Sequence, residues 1–183
     1  MECDVIIYDL NNQDLEEVEL ALRLIKDEEL TSRKIIIAIS SMMVWANTPP
    51  KMENNPAYNP DASDQPKQIL APYTEADYNM RKAQPRYEGI KFLENMLLGV
   101  TNANIQTHIV CPGLVYGYGE ELLNFHFRSA WLDDPKLLPY IGEGDNIIPT
   151  IHIADLAMLI ANVSEGNADS PYIFGVDRTP AMT

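Results

Sequence analysis

The chain has 183 residues, 46% of them apolar, and its 13 basic and 27 acidic side chains give it a net charge of −14. This length and apolar content suit one globular domain with a buried core, and the strongly negative charge repels phosphate backbones and anionic lipid. We therefore expect neither nucleic-acid nor membrane binding, and no apolar run approaches the roughly 18 residues that a membrane helix needs.

The first 41 residues predict a strand, a helix and a second strand. CDVIIYDL, residues 3–10, is continuous, apolar and β-branched, which is typical of a strand buried on both faces of a sheet. Residues 11–30 carry apolar side chains at helical spacing, with Asn12 or Asp14 available as the N-cap. RKIIIAISS, residues 33–41, is a second buried strand. This strand–helix–strand unit predicts an α/β fold with a parallel sheet.

The pattern is interrupted at residues 47–72. Six prolines fall there and no periodicity survives, so we expect a long proline-rich loop inserted into the domain. Thr74 is a candidate N-cap for a short helix that Pro85 would end. Residues 86–99 then predict a stronger helix, with Gly99 as its C-cap.

The last third of the chain predicts one strand, two helices and a final strand. Residues 105–117 form a third strand that runs into a glycine-rich turn, and residues 120–132 and 154–166 have helical patterns. His152 and Asp155 are expected to cap the second of these helices. Residues 170–177 predict the last strand, and residues 1–183 together predict one domain.

Two side chains in the residue 86–99 helix suggest chemistry. Tyr87 and Lys91 stand four residues apart, so both lie on one helix face. An ammonium beside a phenol lowers the pKa of the phenol and suits a tyrosine that exchanges protons. The structural alternative is a packed ring beside a lysine that reaches solvent. The same spacing recurs at Tyr78 and Lys82, so the motif alone is weak.

Three stretches in order carry a family pattern. A buried strand ends in Ser40 and Ser41, the Tyr87–Lys91 helix follows, and CPGLVYGYG precedes IGEGDNIIPTIHIADLA. This order resembles the extended short-chain dehydrogenase/reductase family, the NAD-dependent nucleotide-sugar epimerases and dehydratases, over about residues 3–177. The resemblance implies a doubly wound sheet of the Rossmann type.

The resemblance also implies roles for four residues. Ser41 would hydrogen-bond the substrate oxygen, Tyr87 would exchange the proton, and Lys91 would hold the cofactor ribose and lower the pKa of the tyrosine. Pro112 would line the nicotinamide pocket, and NAD(P) would carry the hydride.

The sequence departs from the family at several points. The family's first strand and its Gly-x-x-Gly-x-x-Gly phosphate turn have no counterpart here, and Cys111 stands where the family has arginine. We therefore expect a partial doubly wound sheet, incomplete at the N-terminus, that lacks the glycine-rich βαβ half. No cofactor is expected. The two cysteines, Cys3 and Cys111, favour a reducing cytoplasmic compartment and stand in no metal-like spacing.

A closer resemblance is to the N-terminal epimerase-like domain of a ciliary adenylate kinase family, the one usually numbered seven. It is carried by CDVIIYDL, TEADYNMRK, IIPTIHIADLA and YIFGVD. The resemblance implies a location in the axoneme of a cilium or flagellum and protein partners there. The sequence has no Gly-x-x-x-x-Gly-Lys phosphate loop of a kinase.

Two functional hypotheses follow. The first is a catalytically inert structural module whose partner covers the strand at residues 3–9, because an open apolar edge strand recruits other strands. The alternative is an NAD(P)-dependent epimerase, dehydratase or reductase that uses Ser41, Tyr87 and Lys91.

Overall fold

The computed structural model describes residues 3–26, 28–61, 66–119, 122–134, 142–144 and 147–178. Short 3₁₀ helices lie at Met42–Val44, Glu75–Met80 and Pro85–Tyr87. The strands and helices, in chain order, are β1 (Val5–Asp9), α1 (Leu15–Lys26), β2 (Lys34–Ile39), β3 (Lys51–Asn54), β4 (Gln68–Ala71), α2 (Glu88–Leu98), β5 (Ile105–Pro112), β6 (Leu114–Tyr116), α3 (Asn124–Leu132), β7 (Thr150–His152), α4 (Ile153–Ser164) and β8 (Tyr172–Gly175).

A four-stranded sheet in the order β1-β2-β5-β8 forms the centre of the fold, and all of its neighbouring strands are parallel. The predicted α/β class and parallel sheet are therefore confirmed. The strands alternate with helices, so the architecture is compatible with a Rossmann-like α/β fold.

Helices cover both faces of this sheet. Alternate residues of β2 point to opposite faces, so Ile36 packs with α1 and α2 in one core, while Ile37 packs with α4 in another. Along the chain, each new strand of this sheet lies on the same side of the strand before it, in the order β1, β2, β5, β8. Because α4 lies on the face opposite α1 and α2, the crossover from β5 to β8 has the opposite hand to the two before it.

Local signals set several helix ends as predicted, but Pro85 does not end the helix after Thr74: that helix ends at Met80, and Pro85 begins the next 3₁₀ helix. Asp14 Oδ1 accepts a hydrogen bond from the Glu16 backbone N–H at 2.9 Å, so Asp14 rather than Asn12 caps α1. Gly99 is the C-cap of α2, and Thr74 is the N-cap of the 3₁₀ helix Glu75–Met80. His152 Nδ1 accepts from the Ala154 N–H at 3.2 Å, which confirms the capping role of this histidine.

The prediction that β1 is buried on both faces is wrong for this chain. β1 is the outermost strand of the sheet, with no strand paired to its outer edge among the described residues. Ile7 is 45% exposed, and the other β1 residues are only half-buried. Ile6 and Tyr8 pack toward α1 and α2, whereas on the other face α4 lies over β2 and β5 and leaves Ile7 uncovered.

Residues 47–72 differ from the predicted loop, since β3 and β4 pair there as an antiparallel hairpin. The six prolines lie outside the paired residues: Pro49 and Pro50 precede β3, Pro56, Pro60 and Pro66 lie between the strands, and Pro72 follows β4. A proline disrupts a strand only where it must itself donate a hydrogen bond to the neighbouring strand. Because none of these prolines is paired, the high proline content of the segment does not prevent the two short strands.

An ion pair and a capping box join the hairpin to the segment that follows it. Lys51 Nζ on β3 lies 2.9 Å from Asp77 Oδ2. The same Asp77 oxygen accepts hydrogen bonds from the Thr74 N–H at 2.8 Å and the Thr74 hydroxyl at 2.9 Å. Thr74 and Lys51 hold the pKa of Asp77 at about 2, below its ordinary 3.8.

Before α4, the polypeptide that follows β5 contributes little to the core. β6 and β7 form a separate two-stranded parallel sheet, and α3, the predicted helix, buries only Ser129 of its described residues. Trp131 of α3 is 89% exposed. Part of the predicted Gly-x-Gly segment, residues 141, 145 and 146, lies outside the described residues. In the part of the chain that the structure describes, no helix combines the length and the apolar character needed to cross a membrane.

Candidate functional site

A cleft of about 890 Å³ opens at the carboxyl ends of β1, β2 and β5. Ser41, Tyr87 and Pro112 all line it, so the fold brings three of the four predicted site residues to one place. Lys91 is not among the described lining residues. In open parallel sheets this carboxyl edge is where ligands bind, which makes the cleft the candidate site.

Ser41 reaches the cleft from the end of β2. It is the N-cap of the 3₁₀ helix Met42–Val44, and its Oγ accepts a hydrogen bond from the Met43 N–H at 3.3 Å. This is the backbone-capping role that the structural alternative assigns to a strand-end serine. Its hydroxyl hydrogen is donated to no residue in the described ranges, so a ligand in the cleft can accept it.

Tyr87 ends the 3₁₀ helix Pro85–Tyr87 and precedes the first residue of α2. Its ring packs against the core on the α1 and α2 face of the sheet, and its hydroxyl has no hydrogen-bond partner among the described residues. Lys91 lies one turn further on, where its Nζ contacts Glu88 Oε2 at 3.5 Å. The described contact of the ammonium is therefore with a carboxylate of its own helix.

The polar floor of the cleft carries negative charge. Asp9 accepts hydrogen bonds from the Asn11 N–H at 3.1 Å and from Asn12 Nδ2 at 2.6 Å, and Asn11 Nδ2 donates to the Ser40 carbonyl at 2.9 Å. No lysine, arginine or histidine is among the described residues that line the cleft. Those residues therefore offer no positively charged side chain to pair with the phosphates of a pyrophosphate. Likewise, the described residues contain no group of three side chains suited to a metal ion.

Close backbone packing closes one side of the cleft. A Cβ on Gly113 would lie 2.5 Å from the carbonyl oxygen of Pro149, so only glycine lets the two segments approach. Gly113 N–H also donates to the Gly175 carbonyl at 2.8 Å. This contact sets Pro149 and the residues before it beside the carboxyl end of β5.

A buried polar network lies beneath the cleft, on the α1 and α2 face of the sheet. Arg81 Nε donates to Glu94 Oε2 at 2.6 Å, and both side chains are at most 2% exposed. Tyr172 hydroxyl donates to Glu94 Oε1 at 3.4 Å and accepts from Trp45 Nε1 at 2.9 Å. Arg81 Nη2 also donates to Asn95 Oδ1 at 2.7 Å. The network ties the segment before α2 to both α2 and β8.

Burial dominates the protonation of this network. It raises the pKa of Glu94, and the Ser40 hydroxyl and the Arg81 guanidinium only partly oppose that rise. Burial likewise raises the pKa of Tyr172, and it raises the pKa of Cys111 to about 12. A thiol in that state is protonated near neutral pH and is a poor nucleophile. The network is suited to holding structure rather than to moving protons.

The sequence contains one signal for this buried network, the position of Glu94 in α2. Glu94 falls within the apolar stripe of α2, between Ile90 and Leu97, both of which are buried. A charged residue at such a position is almost never fully buried unless it is paired. Its partner Arg81 lies thirteen residues earlier, outside any helical spacing, so only the fold brings the two together.

The four-stranded parallel sheet, the helices on both faces and the cleft at the carboxyl edge define a Rossmann-like α/β domain. No protein-family model matches the chain, and no solved structure matches it.

The chain is homologous to adenylate kinase 7. It is 33% identical to that protein of Mus musculus over 184 aligned residues, which cover 97% of this chain and 28% of the mouse protein. It is 39% identical to adenylate kinase 7 of Macaca fascicularis over 88 residues, covering 47% of this chain and 16% of the macaque protein. The chain thus spans just over a quarter of the length of the mouse relative.

Proposed function

We propose that this chain is a catalytically inert, epimerase-like structural module of an adenylate kinase 7-type protein, and that it docks into a large ciliary assembly. Homology to adenylate kinase 7 over nearly the whole chain supports the protein type. The observation that carries the docking role is the outer edge of β1, to which no strand pairs among the described residues.

The backbone of β1 is arranged for a further strand. The Ile35 N–H donates to the Asp4 carbonyl at 2.9 Å, and the Leu10 N–H donates to the Ile39 carbonyl at 3.0 Å. In a parallel ladder the polar groups of alternate residues point the same way, so the N–H and C=O of Val5 and Ile7 face away from β2. An apolar edge strand of this kind is a template for strand addition by a partner. The partner strand would lie along residues 3–9.

The charge of the cleft supports the inert role. Nicotinamide cofactors carry a pyrophosphate, and the described lining offers the Asp9 carboxylate and no cation. Lys91, which would hold the cofactor ribose in the enzyme hypothesis, contacts Glu88 instead. We therefore propose that the module binds no NAD(P). Separately from the cleft, we propose axonemal proteins as its partners, with which the homology to adenylate kinase 7 is compatible.

The alternative function has one observation in its favour. Ser41, Tyr87 and Pro112 share one cleft at the ligand-binding edge of the sheet, which is the placement that an NAD(P)-dependent epimerase, dehydratase or reductase requires. Under this alternative the Ser41 and Tyr87 hydroxyls would contact the substrate oxygen.

Thermal unfolding with and without cofactor separates the two functions. The purified chain should show no rise in melting temperature with millimolar NAD⁺, NADH, NADP⁺ or NADPH. A cofactor at a hundred times its dissociation constant would add about 2.7 kcal/mol to the free energy of unfolding, which is a shift of several degrees. Such a shift, abolished by Ser41→Ala or Tyr87→Phe, would replace the structural role with the enzymatic one.

A further inference from the structure

The polarity of the cleft changes from one end to the other. At the ends of β1 and β2 it presents the side chains of Asn12 and Ser41, and the Tyr87 ring lies beside them. The remaining lining is apolar and includes Leu156 and other residues of α4 together with Ile148. The cleft is therefore amphipathic, with hydrogen-bonding groups at one end and hydrocarbon along most of its length.

Apolar side chains at the opening of the cleft are left in water. Leu122 is 68% exposed, Ile147 is 85% exposed and Ile148 is 56% exposed, and all three line the cleft. Exposed apolar groups that converge on one concavity indicate that something apolar covers them. Two hydroxyls at the polar end, those of Ser41 and Tyr87, donate to no described residue and remain available to a ligand.

Size and charge narrow the class of ligand. A volume of about 890 Å³ lies within the range of small-molecule sites, roughly 300–1,000 Å³. The one ionised group on the described lining is Asp9, whose carboxylate already accepts hydrogen bonds from Asn11 and Asn12. An anionic ligand would be repelled by the Asp9 carboxylate, and no basic side chain of the described lining would offset that repulsion. A cationic ligand is not required either, because Asn11 and Asn12 already donate hydrogen bonds to Asp9.

We propose that this cleft binds an uncharged, largely apolar small molecule that carries a hydrogen-bonding group at one end. The apolar body lies against α4 and the segment before β7, and the hydrogen-bonding group lies at Ser41 and Tyr87. This cleft meets the strand at residues 3–9 only at Asp9, at the carboxyl end of β1.

A matched pair of fluorescent probes tests the charge preference. N-phenyl-1-naphthylamine is neutral, and 8-anilino-1-naphthalenesulfonate has the same two aromatic groups with one added sulfonate. The neutral probe should bind with saturable one-to-one stoichiometry, and the sulfonate should bind at least about tenfold more weakly because of uncompensated like charge. Equal or tighter binding of the sulfonate would overturn the proposal.

Two variants on one helix test the location. Ala157 of α4 lines the cleft, whereas the adjacent Met158 is 58% exposed and does not. Ala157→Phe fills the site and should weaken binding of the neutral probe at least about tenfold, whereas Met158→Phe should leave it unchanged. Equal affinities in the two variants would show that the probe binds elsewhere, and the proposal would fail.

A second pair guards against a folding defect in Ala157→Phe. Ile148 lies at the exposed opening, and Leu20 lies on the outer face of α1 at 59% exposure. Ile148→Asp should lower affinity for the neutral probe, and Leu20→Asp should not. If both aspartate variants lower it equally, binding is to apolar surface in general and the proposal is wrong. These outcomes are independent of the cofactor test, because a melting shift with NAD(P)H bears on the inert role and the probe pair bears on the cleft.

Discussion

Two tyrosines in this domain have opposite environments for their hydroxyls. Tyr172 is fully buried, and its hydroxyl accepts from Trp45 and donates to Glu94. Tyr87 is half-buried, and its hydroxyl has no hydrogen-bond partner among the described residues. The ring of each tyrosine packs in the core, so the two hydroxyls can be compared by the same small substitution.

Tyr87→Phe should change the free energy of unfolding by less than about 0.5 kcal/mol, since no buried polar partner is lost. Tyr172→Phe should cost about 1–3 kcal/mol, because it leaves the Trp45 indole N–H and the Glu94 carboxyl short of a partner. Urea unfolding of the two variants measures both values. A large loss in Tyr87→Phe would mean that its hydroxyl has a structural partner.

The Arg81–Glu94 ion pair is almost fully buried, so breaking it by removing one partner is costly. Arg81→Met should lower the free energy of unfolding by about 3–5 kcal/mol, because it leaves a buried carboxyl without its guanidinium. The double variant Arg81→Met/Glu94→Gln should be more stable than the single one. If the double variant is the less stable of the two, the charge of Glu94 is not what destabilises Arg81→Met.

The pH dependence of Arg81→Met has a definite sign. Burial raises the pKa of Glu94 above its ordinary 4.5, and removal of Arg81 takes away an opposing interaction. A raised pKa means that the folded state holds the proton more tightly, so the free energy of unfolding falls as pH rises through the folded-state pKa. Arg81→Met should therefore be closer to the unmutated chain at pH 5 than at pH 8. Glu94→Gln in the same background should remove that difference.

At the scale of single elements, Asp77 couples the β3–β4 hairpin to the 3₁₀ helix Glu75–Met80. Its pKa is lowered to about 2, first by the Thr74 N–H and then by Lys51. A lowered pKa gives stability that is complete above the ordinary value of 3.8 and is lost as pH falls toward 2. Asp77→Asn should therefore flatten the decline of melting temperature between about pH 4 and pH 2.

Glu53→Gln is the matched control for that measurement. Glu53 Oε1 also lies near Lys51 Nζ, at 3.3 Å, but it caps no helix and its side chain is 57% exposed. The decline at acid pH should persist in this variant. A decline that is the same in Asp77→Asn and Glu53→Gln would assign the acid sensitivity to groups other than Asp77.

At the scale of the whole molecule, the proposed docking role concerns the outer edge of β1, to which no strand pairs among the described residues. Each backbone group buried there without a partner would cost about 1–3 kcal/mol, so an open apolar edge favours pairing with other strands. We expect the isolated chain to aggregate or to require a partner. A monodisperse monomer with slow amide exchange at residues 4–8 would show that the edge is closed from within and would remove the physical basis of the docking role.

Two proline variants, at adjacent residues, isolate the edge from the fold. The Ile7 N–H faces away from β2, so Ile7→Pro removes only an outward donor and should reduce association while the domain still unfolds cooperatively. The Ile6 N–H faces β2, so Ile6→Pro should lower the melting temperature. Association that persists in Ile7→Pro, measured by light scattering or analytical ultracentrifugation, would place the contact elsewhere.

The sequence by itself determined the elements whose signals are local. Side-chain periodicity specifies α1, α2 and α4, and β-branched apolar runs specify β2 and β5, because these patterns depend on residues only a few positions apart. Asp14, Gly99 and His152 fixed helix ends through contacts with their own backbone neighbours. Ser41 and Pro112 lie at strand ends of the parallel sheet, which meet at one edge, whereas Tyr87 joined them in the sequence analysis only through the family resemblance.

The tertiary structure alone decided the features that depend on distant residues. CDVIIYDL has the composition of a central strand, but its exposure depends on which strands pair with it, and β1 lies at the edge. Glu94 is buried where Arg81 and Tyr172 converge on it from separate segments, with Trp45 bonded to the Tyr172 hydroxyl. The hairpin depends on pairing across the residue 55–67 segment, and short strands gain stability from the partner rather than from their own composition. Pairing between distant segments depends on which segments meet in the folded chain, so it cannot be predicted from a pattern of residues only a few positions apart.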